Sequence, residues 1–92
     1  MAVYVDDAFV AGDWGFFSGG GHLQADSLAE LHAFAAELGL RRVWFQTKPH
    51  RPEHDHYDLT GEGRTRAIAL GAVAEPWREA TRRRRALRRA RV

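Results

Sequence analysis

Several stretches of this chain carry side chains able to do chemistry. Asp6 and Asp7 close the first apolar run. Adjacent carboxylates at a strand end suit a cation or a transferred proton, because successive side chains face opposite ways and one of the two can point into a site. Asp6 is the better placed. His50, His54, His56 and Asp58 crowd one short segment of a chain with five histidines. In an extended segment the alternate spacing of His54, His56 and Asp58 aims all three to one side, and imidazole with carboxylate suits Zn, Mn or Fe. The predicted ligands of a divalent ion (Mg, Mn or Zn) are therefore Asp6, His56 and Asp58, with His56 as ligand or general base. His22 lies four residues before Asp26, near the entry to a predicted helix, and both are acid-base candidates. Gly61-Glu62-Gly63-Arg64 opens another predicted helix, whose backbone donors and Arg64 guanidinium fit a phosphate.

Each of these has a plain structural counterpart. Asp favours turns, a proline-bearing polar loop needs no metal, and a buried network of Asp, His, Tyr and Gln has the same composition as a site. His32 fits a satisfied half-buried histidine at the edge of a helix. Trp14, Phe16 and Phe17 fit core or lid packing as well as base stacking. With no cysteine in the chain, disulfides, a thiol nucleophile and any cysteine-ligated metal are excluded.

Charge is unevenly spread. The formal net charge is +2, yet seven arginines (Arg82, Arg83, Arg84, Arg85, Arg88, Arg89 and Arg91) fall in the last eleven residues. The other seven basic residues face all twelve acidic ones, so the preceding body carries −5. Such a tail, predicted to fray when free, fits phosphate contact with nucleic acid or a ribonucleoprotein, or a solubilising end.

The elements that must position these groups fit one small domain of 92 residues, 45% hydrophobic, with little core to spare. Ala2 to Val5 reads as a buried first strand. Residues 8–26, with five glycines and no sustained period, read as a long loop. Ser27 and Glu30 form a capping box for a helix carrying Leu28, Leu31, Ala35 and Leu38, ended by Gly39. Val43-Trp44-Phe45 reads as a second strand covered on both faces. Thr60 caps a second helix stopped by Gly71, Ala72 to Ala74 form a third strand, and Pro76 begins a last helix that runs into the arginines. The predicted class is α/β: a small single domain (1–78) with a short, mainly parallel sheet and helices packed on it, followed by a basic helical tail (79–92). No apolar run is long enough for a membrane span, and a cytoplasmic protein with no membrane partner is expected.

Met1-Ala2-Val3-Tyr4-Val5-Asp6-Asp7, His22-Leu23 with Ala25-Asp26, Glu30 to Ala35, Leu38-Gly39-Leu40, Trp44-Phe45-Gln46, His56-Tyr57-Asp58, Arg64 and Gly71-Ala72 together resemble the small bacterial and phage family catalogued as domain of unknown function 4031. The resemblance covers residues 1–78 and implies a shared domain but no activity. Gly21 departs from it, standing where that pattern has a small polar residue before His-Leu.

Two readings follow. In one, the chain is a divalent-metal-dependent hydrolase of a phosphoester in a nucleotide or nucleic acid. Asp6 and Asp58 are then ligands, His56 a ligand or base, His22 and Asp26 supporting groups, and Arg64 the phosphate clamp. In the other, a noncatalytic module binds nucleic acid through Arg82, Arg83, Arg84, Arg85, Arg88 and Arg89.

Overall fold

The computed structural model describes residues 2–91. Four strands, β1 (Val3–Val5), β2 (Gly21–Ala25), β3 (Tyr57–Leu59) and β4 (Val73–Ala74), form one sheet in the order β3-β2-β1-β4. Three helices pack on it: α1 (Leu28–Glu37), α2 (Gly61–Ala69) and α3 (Trp77–Arg91). The α/β class is as expected, but the sheet is mixed rather than mainly parallel. Strand β2 runs antiparallel to both β1 and β3, and only the β1–β4 pair is parallel.

The difference has a local cause. Val43-Trp44-Phe45 is not a strand: Arg42–Trp44 is a single 3-10 turn, and Val43 is 74% exposed. Three apolar residues directly after two arginines bury too little to hold a sheet position. That position is taken by β2, which emerges from the end of the glycine-rich segment. There the glycines permit a close approach that any side chain would block. A Cβ on Gly20 would lie 1.7 Å from the Leu59 carbonyl oxygen, and one on Gly21 would lie 2.1 Å from that of Asp6.

Helix ends follow the sequence signals. The Ser27 hydroxyl accepts from the Glu30 amide at 3.2 Å, which caps α1, and it donates to the Glu30 carboxylate at 3.0 Å, so the expected Ser–Glu pair forms through its side chains. Thr60 caps α2 by accepting from the Gly63 amide at 3.0 Å. Asp7 serves as a cap supplied from the far end of the chain, its carboxylate accepting from the Trp77 amide at 2.8 Å at the start of α3.

The sheet has two chemically distinct faces, because side chains alternate along each strand and directly paired residues share a face. One face is apolar: Val5, Leu23, Tyr57 and Leu59 pack with Leu31, Ala35 and Leu38 of the α1 region and with Ala67 of α2. The opposite face carries Tyr4 of β1 and Asp6 just past its end, His22 and Gln24 from β2, and Asp58 from β3. Helix α3 lies over this polar face. The Arg83 guanidinium sits 4.1 Å from the Tyr4 ring centre and donates to Glu75 and Gln24. Arg84 donates to Gln24 and Thr81. Arg91 pairs with the buried Glu53 carboxylate. Part of the arginine run is thus built into the domain, which accounts for its order: three guanidiniums meet acceptors the sheet and its loops would otherwise leave unmatched.

Candidate functional site

Register brings the site together. Val5 pairs with Leu23, so Asp6, one residue on, lies beside His22, and its amide donates to the His22 carbonyl at 3.2 Å. His22 in turn pairs with Asp58. Three charged or titratable side chains therefore stand in one row across three adjacent strands, on the same face. His56 joins them from the residue before β3, held in place by paired backbone hydrogen bonds with Gln46 at 2.9 and 3.1 Å.

Asp6 is 2% exposed, and both of its oxygens are engaged. Oδ1 accepts from the amides of His22 at 2.9 Å and Ala8 at 3.0 Å, and Oδ2 lies 2.9 Å from His22 Nδ1. Burial pushes its pKa up, but the hydrogen bonds from the His22 ring and amide, the His22 charge and the Ala8 amide outweigh burial and hold it below the ordinary aspartate value. Asp6 is a carboxylate at neutral pH. It fixes His22 with Nδ1–H inward and Nε2 outward, 3.9 Å from Asp58 Oδ1.

His56 is held in the same sense. Its Nδ1 lies 2.5 Å from the His54 carbonyl oxygen, which can only accept, so Nδ1 carries the proton and Nε2 points to Asp58 Oδ1 at 3.3 Å. Asp58 is oriented from its other side by the Gln46 amide, which donates to Oδ2 at 2.6 Å. Hydrogen bonding to His56 lowers the Asp58 pKa against the opposing effect of partial burial, with Gln46 and the two imidazoles adding to it. Burial pulls His56 down, but the Asp58 and His54 hydrogen bonds and the Asp58 charge raise it above the ordinary histidine value overall.

His22, His56 and Asp58 thus each offer one donor atom, all within 4.8 Å of one another, the one such group among the described residues. With both Nδ1 atoms protonated, neutral imidazoles would turn two lone pairs toward a carboxylate. Only a cation between them, a proton or a metal ion, makes that arrangement favourable. Donors bound about 2.0–2.1 Å from a tetrahedral ion stand about 3.3 Å apart. The His56–Asp58 separation of 3.3 Å matches this, and His22, 3.9 Å from Asp58 in a group whose donors span up to 4.8 Å, must move inward to complete the set.

The expected site residues divide as follows. His56 and Asp58 are in the cluster. Asp6 stands behind His22 rather than beside the donor atoms, and His22 takes the place expected of Asp6. Arg64 reaches the same region, donating through Nε to the Asp6 carbonyl at 3.0 Å. Asp26 is not part of the site. It shares the polar face of the sheet, but four residues of extended chain past His22 put it about 13 Å along the strand. There it accepts from the Ala2 amide at 2.8 Å and the Tyr4 hydroxyl at 3.0 Å. Arg84 comes within 4.0 Å of Asp6 Oδ2 and is 14% exposed, so it belongs to the surroundings of the site and not to a free tail. Burial lowers its pKa, the Asp6 charge opposing. Arg83 is likewise tied inward, whereas Arg82, Arg85, Arg88 and Arg89 are exposed.

Gln24 is the important omission from the expected set. Gln24 joins the sheet to the 52–56 loop, donating to the Glu53 and Asp55 carbonyls at 3.0 and 3.2 Å, and it accepts from Arg83 and Arg84. The alternation His22-Leu23-Gln24-Ala25 was the signal for a strand with a polar face. An apolar groove of about 620 Å³ opens beside the cluster, walled by Phe16, Phe17, Val43 and Trp44, with Gln46 and Asp58 on its lining.

A family model described as a protein of unknown function, DUF4031, matches residues 3–87. The chain belongs to the DUF4031 family. The DUF4031 match takes in all four strands, every member of the site and most of α3, so the Arg82 to Arg85 run lies inside the family's domain. No curated protein and no solved structure matches the chain. Among the described residues of this DUF4031 chain, no helix is long and apolar enough to cross a membrane.

Proposed function

We propose that this protein is a divalent-metal-dependent hydrolase of phosphoesters, with His22, His56 and Asp58 as the metal ligands. The reading rests on one observation: two imidazoles, each fixed through Nδ1, turn their Nε2 atoms toward a single carboxylate. Two nitrogens and one oxygen favour Zn²⁺ or Mn²⁺ over Mg²⁺, which prefers an all-oxygen shell. Three protein ligands leave a coordination position open, as hydrolytic sites require, and the ion would supply Lewis acidity to a phosphoryl oxygen and to water. Asp6 and Gln46 are positioning residues, holding His22 and Asp58 in their donor orientations. The Phe16–Trp44 groove would take the organic part of the substrate. In the reaction, water oxygen bonds to phosphorus, the ester P–O bond breaks, and the leaving oxygen departs with a proton.

The test is a thermal melt with Zn²⁺, Mn²⁺ or Mg²⁺, joined to hydrolysis of bis(p-nitrophenyl) phosphate and of p-nitrophenyl phosphate. An ion present at 100 times its dissociation constant stabilises the fold by about 2.7 kcal/mol. Wild type is expected to gain stability with Zn²⁺ or Mn²⁺ and to release nitrophenol, and Asp58→Asn and His56→Ala to do neither. A melt unmoved by any of the three ions would overturn the metal site. Metal binding without phosphodiester or phosphomonoester turnover would overturn the hydrolase reading alone.

A further inference from the structure

Helix α3 is charged on both sides, and the two sides are used differently. At about 100° per residue, Ala80, Arg83, Arg84, Leu87 and Arg91 fall on the side that meets the sheet and its loops. Ala80 is 1% exposed, and the three guanidiniums are spent on Glu75, Gln24, Thr81 and Glu53. Directly opposite, Arg78, Arg82, Arg85 and Arg89 fall within about 60° of arc and extend about 16 Å along the helix. All four are exposed. Among the described residues only Arg82 has a carboxylate partner, Glu79 of the same helix, and that pair is itself open to solvent.

Like charges at i, i+3 and i, i+4 repel, so this stripe is a standing cost to the helix. The cost is borne by the inner face, whose ion pairs and packing hold α3 in place. We propose that the outer stripe of α3, Arg78, Arg82, Arg85 and Arg89, is a binding surface for the phosphodiester backbone of a nucleic acid. Charge complementarity calls for a polyanion with closely spaced charges along a line. Guanidinium forks pair with phosphate oxygens in two-pronged fashion, which favours a phosphate polymer over a carboxylate-rich peptide. A lipid surface fits less well. Helices that lie on membranes insert an apolar side next to their basic residues, and here Ala80 is buried against the sheet, the half-exposed Leu87 falls opposite the stripe, the half-exposed Trp77 is confined to the first position of the helix, and only Ala86 and Ala90 flank the stripe further along. Backbone contacts of this kind position a partner without reading its bases.

This inference stands apart from the metal site, and its test keeps the two separable. Fluorescence anisotropy of the full chain with a labelled 20-base-pair duplex and a matching RNA hairpin, at several salt concentrations, is compared with a variant in which Arg78, Arg82, Arg85 and Arg89 are all alanine. The alanine variant keeps the inner face and a strong helix former at each position, and circular dichroism verifies that it folds. Four backbone contacts add about 3.6 to the salt slope on duplex, so the variant should lose roughly a hundredfold or more in affinity near 0.1 M salt. The corresponding four-lysine variant should retain most of the slope. Any zinc-induced thermal shift should be the same in wild type and variants, whatever its size. Equal binding by wild type and the alanine variant would overturn the proposal. So would no binding by wild type at low salt, or tighter binding to phosphatidylserine vesicles than to either nucleic acid.

Discussion

Asp6→Asn changes one oxygen to nitrogen in the least exposed carboxylate of the site, and its consequence can be worked through atom by atom. The His22 and Ala8 amides both donate to Oδ1. An asparagine must therefore keep its carbonyl oxygen there, which turns its NH₂ group toward His22 Nδ1. Nδ1 then has to accept, the proton moves to Nε2, and Nε2–H can donate to Asp58 but can no longer bind a metal. The fold loses the charge on two backbone hydrogen bonds and exchanges one charge-assisted bond for a neutral one. That costs about 1–2 kcal/mol, or roughly 5–15 °C in melting temperature for a domain of this size. Affinity for Zn²⁺ should fall about 10- to 100-fold, the usual loss when the partner behind a histidine ligand is removed. Calorimetric titration with Zn²⁺ on folded protein measures the second effect, and a circular dichroism melt the first. A variant that binds Zn²⁺ as tightly as wild type would refute the assigned tautomer and the positioning role with it.

Truncation after Thr81 removes Arg83, Arg84 and Arg91 with their inward bonds, so it should lower the melting temperature by several degrees and leave Gln24 Oε1 and the Glu53 carboxylate without their arginines, whereas Arg85→Ala alone should change stability by under about 1 kcal/mol; a truncated chain as stable as wild type would contradict the structural role of α3. For pH, His56 is raised in the fold above its ordinary 6.5, so its contribution is full below pH 6.5 and is lost as pH rises through the folded value. Asp6 and Asp58 are lowered below 3.8, so theirs is present above that value and is lost as pH falls through the folded values. His54 and His32 are pushed down, burial first, and oppose His56 near neutrality. The clean readout is therefore the melting difference between metal-free wild type and His56→Gln, which should shrink above pH 6.5. Gly21→Ala would set a Cβ 2.1 Å from the Asp6 carbonyl oxygen, so it should unfold the domain or displace Asp6 and abolish any metal-induced shift; a variant with wild-type stability would show that β1 and β2 can separate there at little cost.

The sequence displayed the helices more clearly than the sheet. Capping pairs such as Ser27–Glu30 are local, and the glycines Gly39 and Gly71 adopt the positive φ of +79° and +107° that ends α1 and α2. Strand β2 was hidden because glycines that usually mark a loop here allow neighbouring backbones to approach, a constraint visible only once β1 and β3 are in place. Asp6, His56 and Asp58 were recognisable as functional types. Which of them donates and which positions depends on register, since a one-residue slip would send His22 to the apolar face. The arginine run reads in the sequence as a basic helical tail and not as part of the domain, because composition reports charge and not partners. Gln24 and Glu53, which bind its inner face, lie 59 and 38 residues away from Arg83 and Arg91, respectively.

The central claim is that His22, His56 and Asp58 jointly hold a divalent ion. X-ray absorption at the zinc edge, on wild-type protein loaded with one equivalent of Zn²⁺, tests it most directly. The account predicts a four-coordinate shell with two imidazoles at about 2.0–2.1 Å and light oxygen donors completing it, reduced to one imidazole in His56→Ala. A six-oxygen shell, or a spectrum that His56→Ala leaves unchanged, would contradict it.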